Sequence, residues 1–388
     1  MGQAAIFFAL FSNVVGQTFL LAVLPPMGRR LGFSDIETAS ILSVSALVLI
    51  VAAPIWGYLS ERIGRRPVLL AGLAGGALGP CAFGAVVGLR LDDAIPVAAA
   101  FGLFFAARVA QMLVTAGLLP AAQAYMADTT PPDRRAGGMG LIGAAYGLGA
   151  IGGALLAWQL ADRFMLAFGL VAGLVGLAFA AMLLLLPEPA RHAREAEAGR
   201  LEIGRIWPCM AITLVAFSSY SIVQQVLALQ LQDVLGFSSE ASIARAGRAL
   251  MLAALAMVVV QTLVMRFFLG RPEHLLVVGT ALGALAMLLC GWARSYGEIT
   301  AVLALFGAAL GCIFPGNLAI ISLRSGTGAQ GKAAGCNMIA QGFGLMIGPL
   351  IGAVLHQVSP QAPFAAAAAF LTLAFAIAVA TVRMRARG

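Results

Sequence analysis

The stretch Gly57-Tyr-Leu-Ser-Glu61-Arg62-Ile-Gly64-Arg65-Arg66-Pro67 decides how this chain is read. One acid and three arginines fall within it, between long runs that hold almost no charge. A hydrocarbon interior does not tolerate such a cluster, so it belongs in water at a membrane face, between two spanning helices. Crossing a bilayer takes about 20 apolar residues. On that length the sequence predicts twelve helices, at 4–28, 36–59, 67–90, 95–127, 135–161, 163–187, 207–233, 241–268, 273–294, 297–325, 331–357 and 361–383. The expected fold is an all-α integral membrane protein.

Composition agrees. Of 388 residues, 61% are hydrophobic and 10% charged, whereas soluble domains carry about a quarter charged residues. The first apolar segment is too long for a signal-peptide core and has no basic flank, so no cleavage is expected. The five cysteines (Cys81, Cys209, Cys290, Cys312, Cys336) show no metal-ligand spacing. They read as small core residues rather than disulfides.

One connection is long and hydrophilic, 188–206. It divides the chain into an N-terminal six-helix half (1–187), a cytoplasmic linker (188–206) and a C-terminal half (207–388). With both termini inside, the cytoplasmic loops and C-terminus hold 16 Lys and Arg against seven on the opposite face, while the acids divide evenly. That bias places both termini in the cytoplasm and accounts for the net charge of +8 without nucleic acid.

The halves repeat. Gly140, Gly147, Gly149 and Gly153 recur at a constant offset as Gly335, Gly342, Gly344 and Gly348, the last followed by Pro349. Small residues let helix backbones approach closely, and proline bends one helix against its partner. Two related halves suit a carrier that rocks about a site at their interface; abundant glycine offers the alternative of chance register.

Arg108 is the one cation that belongs to neither face, lying deep in the fourth segment. At the bilayer centre such a charge costs roughly 2.5–3.5 kcal/mol or more unless it meets water or a partner. Gln111 and Thr115 follow on the same helical stripe. Asn13 and Gln17 in the first helix, Gln224 and Gln225 in the seventh, Asn317 in the tenth and Asn337 and Gln341 in the eleventh add polar groups. Singly, each is more often interhelical glue than a ligand contact; together they suggest a polar substrate or proton pathway. No Asp or Glu falls deep in the predicted segments. Asp35, Glu37 and His356 stand near outer ends, where they can titrate or serve as surface charges.

The stretch 57–67 closely resembles the signature loop of major facilitator superfamily transporters, Gly-x-Leu-x-Asp-Arg-x-Gly-Arg-Arg/Lys, with Glu61 in place of Asp. The resemblance extends over nearly the whole chain. It includes Ala127-Asp128-Thr-Thr-Pro131 after helix 4, Arg108 in the helix-4 motif, and Gly344-Leu-Met-Ile-Gly348-Pro349 in helix 11. Helix 5 keeps Gly149 and Gly153 but lacks the proline of exporters. The closest local likeness is to tetracycline and multidrug proton antiporters. This resemblance implies a cytoplasmic latch built from Gly57, Glu61, Arg62, Gly64, Arg65, Arg66 and Asp128, with Glu61 reaching the start of helix 11. It implies a role for Arg108 in proton coupling.

The expected function is export of a small organic molecule by alternating access, with proton antiport and no cofactor beyond the proton gradient. An exporter of siderophores or organic anions, or an importer of a polar solute in the same fold, are the alternatives. No catalytic set or metal cluster is expected. The partners expected are a small-molecule substrate and the lipid bilayer of a bacterial inner membrane, with the chain a monomer.

Overall fold

A computed structural model describes residues 2–130, 135–188, 202–267, 271–325 and 329–386. Its described residues form thirteen helices: α1 (Gly2–Leu31), α2 (Asp35–Ile63), α3 (Arg65–Leu91), α4 (Val97–Thr115), α5 (Leu118–Thr129), α6 (Arg135–Gln159), α7 (Phe164–Leu185), α8 (Ile203–Asp233), α9 (Ser239–Phe267), α10 (Pro272–Trp292), α11 (Tyr296–Ser325), α12 (Gln330–Val358) and α13 (Ala362–Ala386). They make 12 candidate membrane spans, because α4 and α5 together form one, Val97–Thr129. Of the expected linker, residues 189–201 lie outside the described residues, as do 131–134 after α5.

The single fourth helix expected at 95–127 is broken at Ala116 and Gly117. Pro120 has no N–H for the carbonyl four residues back and its ring crowds that turn. The break is stabilised from α2. Trp56 Nε1 donates to Leu113 O at 2.6 Å, and a Cβ at Gly117 would sit 2.7 Å from Val68 and 3.0 Å from Trp56. The first helix, expected to end near its prolines, instead runs through Pro25 and Pro26 to Leu31. Its end is tied to α2: Arg29 donates twice to Asp35, at 2.8 Å each. Ser34 and Glu37 form a capping box at the start of α2. Asp35 and Glu37 thus hold a helix junction.

Contact clustering gives two units. Unit 1 comprises Met1–Arg194 with Ser239–Arg248, and unit 2 comprises Glu195–Ser238 with Ala249–Gly388. Within unit 1, α1 lies against α6, and α3 against α4 and α7. Ser239–Arg248, the first turns of α9, joins this unit although the sequence divides the halves at the linker. Glu240 pairs with Arg30 at 2.7 Å, and Gly247 approaches Ala154 and Trp158 on α6. Within unit 2, α8 lies against α12 and α13, and α10 against α11 and α13.

The repeat in sequence is a repeat in packing. A Cβ at Gly149 would lie 2.9 Å from Phe11 O, and one at Gly153 2.5 Å from Val15 O, so α6 crosses α1 backbone to backbone. In unit 2 a Cβ at Gly344 would lie 2.6 Å from Leu214 O, and one at Gly348 2.6 Å from Ser218 O, so α12 crosses α8 in the same way. The first glycine of each set, Gly140 and Gly335, meets nothing within 4 Å. Outward faces stay apolar: Leu78, Leu184 and Trp292 are exposed, as is Cys81. The expectation that every cysteine is a core residue therefore fails at Cys81, since a thiol is as well placed against lipid as against protein. Cys209 and Cys290 are buried.

These contacts predict opposite outcomes for one substitution. Gly153→Ala and Gly348→Ala are expected to lower stability by about 1–3 kcal/mol through overpacking. Gly140→Ala and Gly335→Ala are expected to leave it unchanged or slightly raised, since alanine is the better helix former. Thermal unfolding of the purified variants in detergent measures both; equal effects at the two kinds of site would contradict the packing.

Candidate functional site

Among the described residues, a buried polar network stands in each unit. In unit 1, Arg108 is 3% exposed at mid-length in α4. Its Nη1 donates to Gln111 Oε1 at 2.6 Å, while its Nε has no hydrogen-bond partner. It makes no ion pair among the described residues. Room for this pair comes from α3. A Cβ at Gly79 would stand 2.3 Å from Gln111 Nε2, and one at Gly76 would stand 3.3 Å from Asn13 Oδ1. Thr115, one turn beyond Gln111, lies 3.8 Å from the same point at Gly76. Gln111, Thr115 and Asn13 therefore converge on the glycine face of α3, with Arg108 joined to them through Gln111. That face was missed in the sequence, although its signal, Gly72, Gly75, Gly76 and Gly79 at helical spacing, is there to be read.

In unit 2, Asn317 of α11 donates through Nδ2 to Cys209 O at 2.9 Å and to Thr213 Oγ1 at 2.8 Å. Thr213 Oγ1 in turn donates to Asn337 Oδ1 of α12 at 2.6 Å. The network joins α8, α11 and α12 and leaves Asn317 Oδ1 buried without a partner. Thr213 was not among the expected residues. Gln224 and Gln225 are buried farther along α8, with Gln224 Nε2 donating to Tyr220 Oη at 2.7 Å. Gln17 and Gln341 are part-buried and belong to neither network. The serine run of α8 is interhelical glue: Ser219 reaches Ala367 O and Ser221 reaches Gly344 O.

The 57–67 loop is held together inside unit 1. Gly64 breaks the chain between α2 and α3 with φ +109°, a region glycine enters freely. Arg65 pairs with Asp128 at 3.2 Å and reaches Ser60 Oγ. Arg62 lies over the Tyr58 ring, 4.6 Å from its centroid. Glu61 is exposed in the last turn of α2. The side chain that completes the loop is Glu188, just past α7. Its two oxygens accept from the Arg65 and Arg66 backbone N–H groups at 2.6 and 2.9 Å, capping α3 at the positive end of its dipole. Arg66 Nη2 donates to Leu183 O, fastening the end of α7 to the same turn. A Cβ at Gly64 would lie 2.6 Å from Glu188 Oε1. Glu188 lay unnoticed among the charges of the expected linker, because its partners are backbone atoms more than 120 residues away. One acid is buried at a helix start, which leaves the expectation of no acid deep within a segment untouched. Glu273, in the first turn of α10, is 4% exposed.

The two loop glycines should separate on mutation. Gly57 faces only Pro120 at 3.8 Å, ordinary contact, so Gly57→Ala is expected to leave melting temperature unchanged. Gly64→Ala must hold a side chain at positive φ and displace Glu188; strain of this kind costs about 1–2 kcal/mol, and loss of the cap about 1 kcal/mol more. Thermal unfolding of the two variants side by side checks this, and a neutral Gly64→Ala would refute the capping role.

Comparison with known proteins places this geometry. The chain matches the Major Facilitator Superfamily over residues 6–272 and 263–387. It is 25% identical over 380 residues to "Multidrug resistance protein 1" of Bacillus subtilis (strain 168), covering 96% of this chain and 94% of that one. It is 33% identical over 144 residues to "Tetracycline resistance protein, class C" of Escherichia coli, covering 36% of this chain and 33% of that one. Among solved structures, a bacterial homologue of the human lysosomal transporter Spinster superposes with a TM-score of 0.78 at 15% identity, over 98% of this chain and 96% of that one, a likeness of fold. A signature loop closed by Arg65 and Asp128, twelve spans and a family match over nearly all of its length lead to one conclusion: the chain belongs to the Major Facilitator Superfamily and is a multi-pass membrane transporter, not an enzyme.

Proposed function

We propose that this transporter exports a small organic molecule, a drug-like compound or a metabolite, from the cytoplasm by alternating access, in exchange for inward-moving protons. The observation that carries the reading is the end-to-end match to the multidrug resistance protein of Bacillus subtilis. The 16-to-7 bias of Lys and Arg supports cytoplasmic termini in a bacterial inner membrane. In that orientation the 57–67 loop faces the cytoplasm, and Glu61, exposed above the Arg65–Asp128 pair, is the acid available to its latch.

The unit 1 network supports Arg108 as the residue through which cargo or proton is sensed. A guanidinium buried with one amide partner and no described counter-ion is a charge that a low-dielectric interior disfavours. An anion, or a change of protonation nearby, alters its energy more than that of any surface charge. The same observation favours a second reading of the cargo, a carboxylate-bearing metabolite whose anion pairs with Arg108.

A thermal-shift screen of the purified protein against antibiotics, siderophores and organic anions identifies the cargo, since a ligand at 100 times its Kd stabilises by about 2.7 kcal/mol. Counterflow and uptake in proteoliposomes, with and without a pH gradient, then test coupling; transport indifferent to the gradient would remove the antiport. Arg108→Ala is expected to abolish gradient-driven transport and Arg108→Lys to weaken it. If Arg108→Ala moves cargo at the wild-type rate with the wild-type pH dependence, the role assigned to Arg108 is wrong.

A further inference from the structure

Three aromatic rings and an amide in unit 2 lie outside both networks. Phe217 of α8 is stacked on Phe314 of α11, with ring centroids 4.6 Å apart and planes within 17°. Tyr220, one turn on from Phe217, meets it edge to face at 6.5 Å and 82°. Gln224, one turn farther, donates through Nε2 to Tyr220 Oη at 2.7 Å. Phe217 is fixed in place from α12, where a Cβ at Gly344 would lie 2.8 Å from the phenylalanine Cβ.

The rings are accessible where the rest of the helix is not. Between residues 212 and 231 of α8, only Leu214, Phe217 and Tyr220 are not fully buried. Their spacing puts them on one face of the helix. Phe314 is part-exposed as well, so a further flat ring can extend the stack, aromatic faces pairing readily in offset geometry. This face is not built for lipid. Exposed side chains such as Leu78 and Leu184 offer hydrocarbon alone. Here the stripe carries a phenol with an amide behind it, and polar groups left short of partners are costly against acyl chains.

The hydrogen bonds of Tyr220 and Gln224 do not balance. A phenol supplies one donor hydrogen and a primary amide two, and the bond between these side chains spends one of them. Gln224 is 5% exposed, and its Oε1 is buried without a partner. Turning the amide over would exchange which group donates and would still leave donor hydrogens unspent. Buried polar groups are as a rule satisfied. A phenol and an amide left short beside an accessible aromatic stack therefore mark a place for an acceptor that the chain itself does not supply.

We propose that Phe217, Tyr220 and Phe314 form a binding subsite for a flat aromatic compound carrying an acceptor oxygen on or beside its ring. The ring extends the Phe217–Phe314 stack, and the oxygen accepts from the Tyr220 hydroxyl, which Gln224 orients. The proposal rests on the export reading above and gives the cargo a chemical class. Recognition of the ring lies in unit 2, apart from Arg108, and requires no charge on the cargo.

The test is equilibrium binding to the full chain in detergent micelles, with empty micelles subtracted, using the neutral fluorophore acridone. Anthracene, the same ring system without carbonyl or N–H, is the matched probe. Tyr220→Phe keeps the ring and removes the hydroxyl. It is expected to weaken acridone about tenfold, the loss of one hydrogen bond, and to leave anthracene unchanged. Phe217→Leu is expected to weaken both probes; should it fail to fold, Tyr220→Phe decides alone. Wild-type acridone affinity in Tyr220→Phe, or an equal loss of both probes, overturns the subsite and leaves the export reading standing. Failure of acridone, coumarin and flavone alike to bind the wild-type protein saturably also overturns it. Movement of bound probe in proteoliposomes under a pH gradient reads export separately: binding that Tyr220→Phe weakens, with no probe moved, keeps the subsite and removes export.

Discussion

Lipid tails are as apolar as leucine, so nothing in a bilayer presses helices together as water does. What holds each unit of this transporter is therefore close backbone approach together with hydrogen bonds that lipid cannot make. Gly149 and Gly153 bring α6 onto α1, and Gly344 and Gly348 bring α12 onto α8. Because these crossings leave no room for a side chain, they set the rotation of each helix about its axis. Rotation decides which polar groups point inward, so the networks around Arg108 and Asn317 depend on the glycines even where they do not touch them.

The same constraint explains how charge is placed. Among the described residues, ion pairs gather at helix ends and junctions. Arg29 and Asp35 close the junction of α1 and α2. Arg65 and Asp128 close the signature loop, and Glu188 caps the helix that follows it. Arg108 is the exception, at mid-span with a single amide partner. His356 is buried near a helix end, 2.8 Å from the Asp233 carboxylate. Groups held at the ends stiffen the scaffold, whereas Arg108 keeps a buried Nε without a hydrogen-bond partner.

Much of this was legible from residues alone, for reasons that are local. Twelve spans follow from runs of apolar residues, because in lipid every backbone group must be satisfied within its own helix. Gly64, Arg65 and Asp128 were readable because the loop is contiguous and its pattern characteristic. The glycine sets at 149/153 and 344/348 were readable as a repeat, though not as contacts. The break between α4 and α5 was not read from the expected single helix at 95–127, because hydropathy runs through Gly117 and Pro120 without change. Cys81 shows the limit of apolar patterning in a membrane protein: it does not distinguish core from lipid-facing surface.

The sequence by itself determined the membrane class, the number of spans, the family and the identity of its buried arginine. Each of these is carried by composition or by a short contiguous motif. Only the tertiary structure decided which polar groups meet. Glu188 reaches Gly64 and its neighbours from the far end of unit 1, Asn317 finds Thr213, and His356 finds Asp233 from 123 residues away. Such pairings depend on helix rotation and axial register to within a fraction of a turn. Those are set by backbone contact between helices, which hydropathy along one strand of sequence does not record.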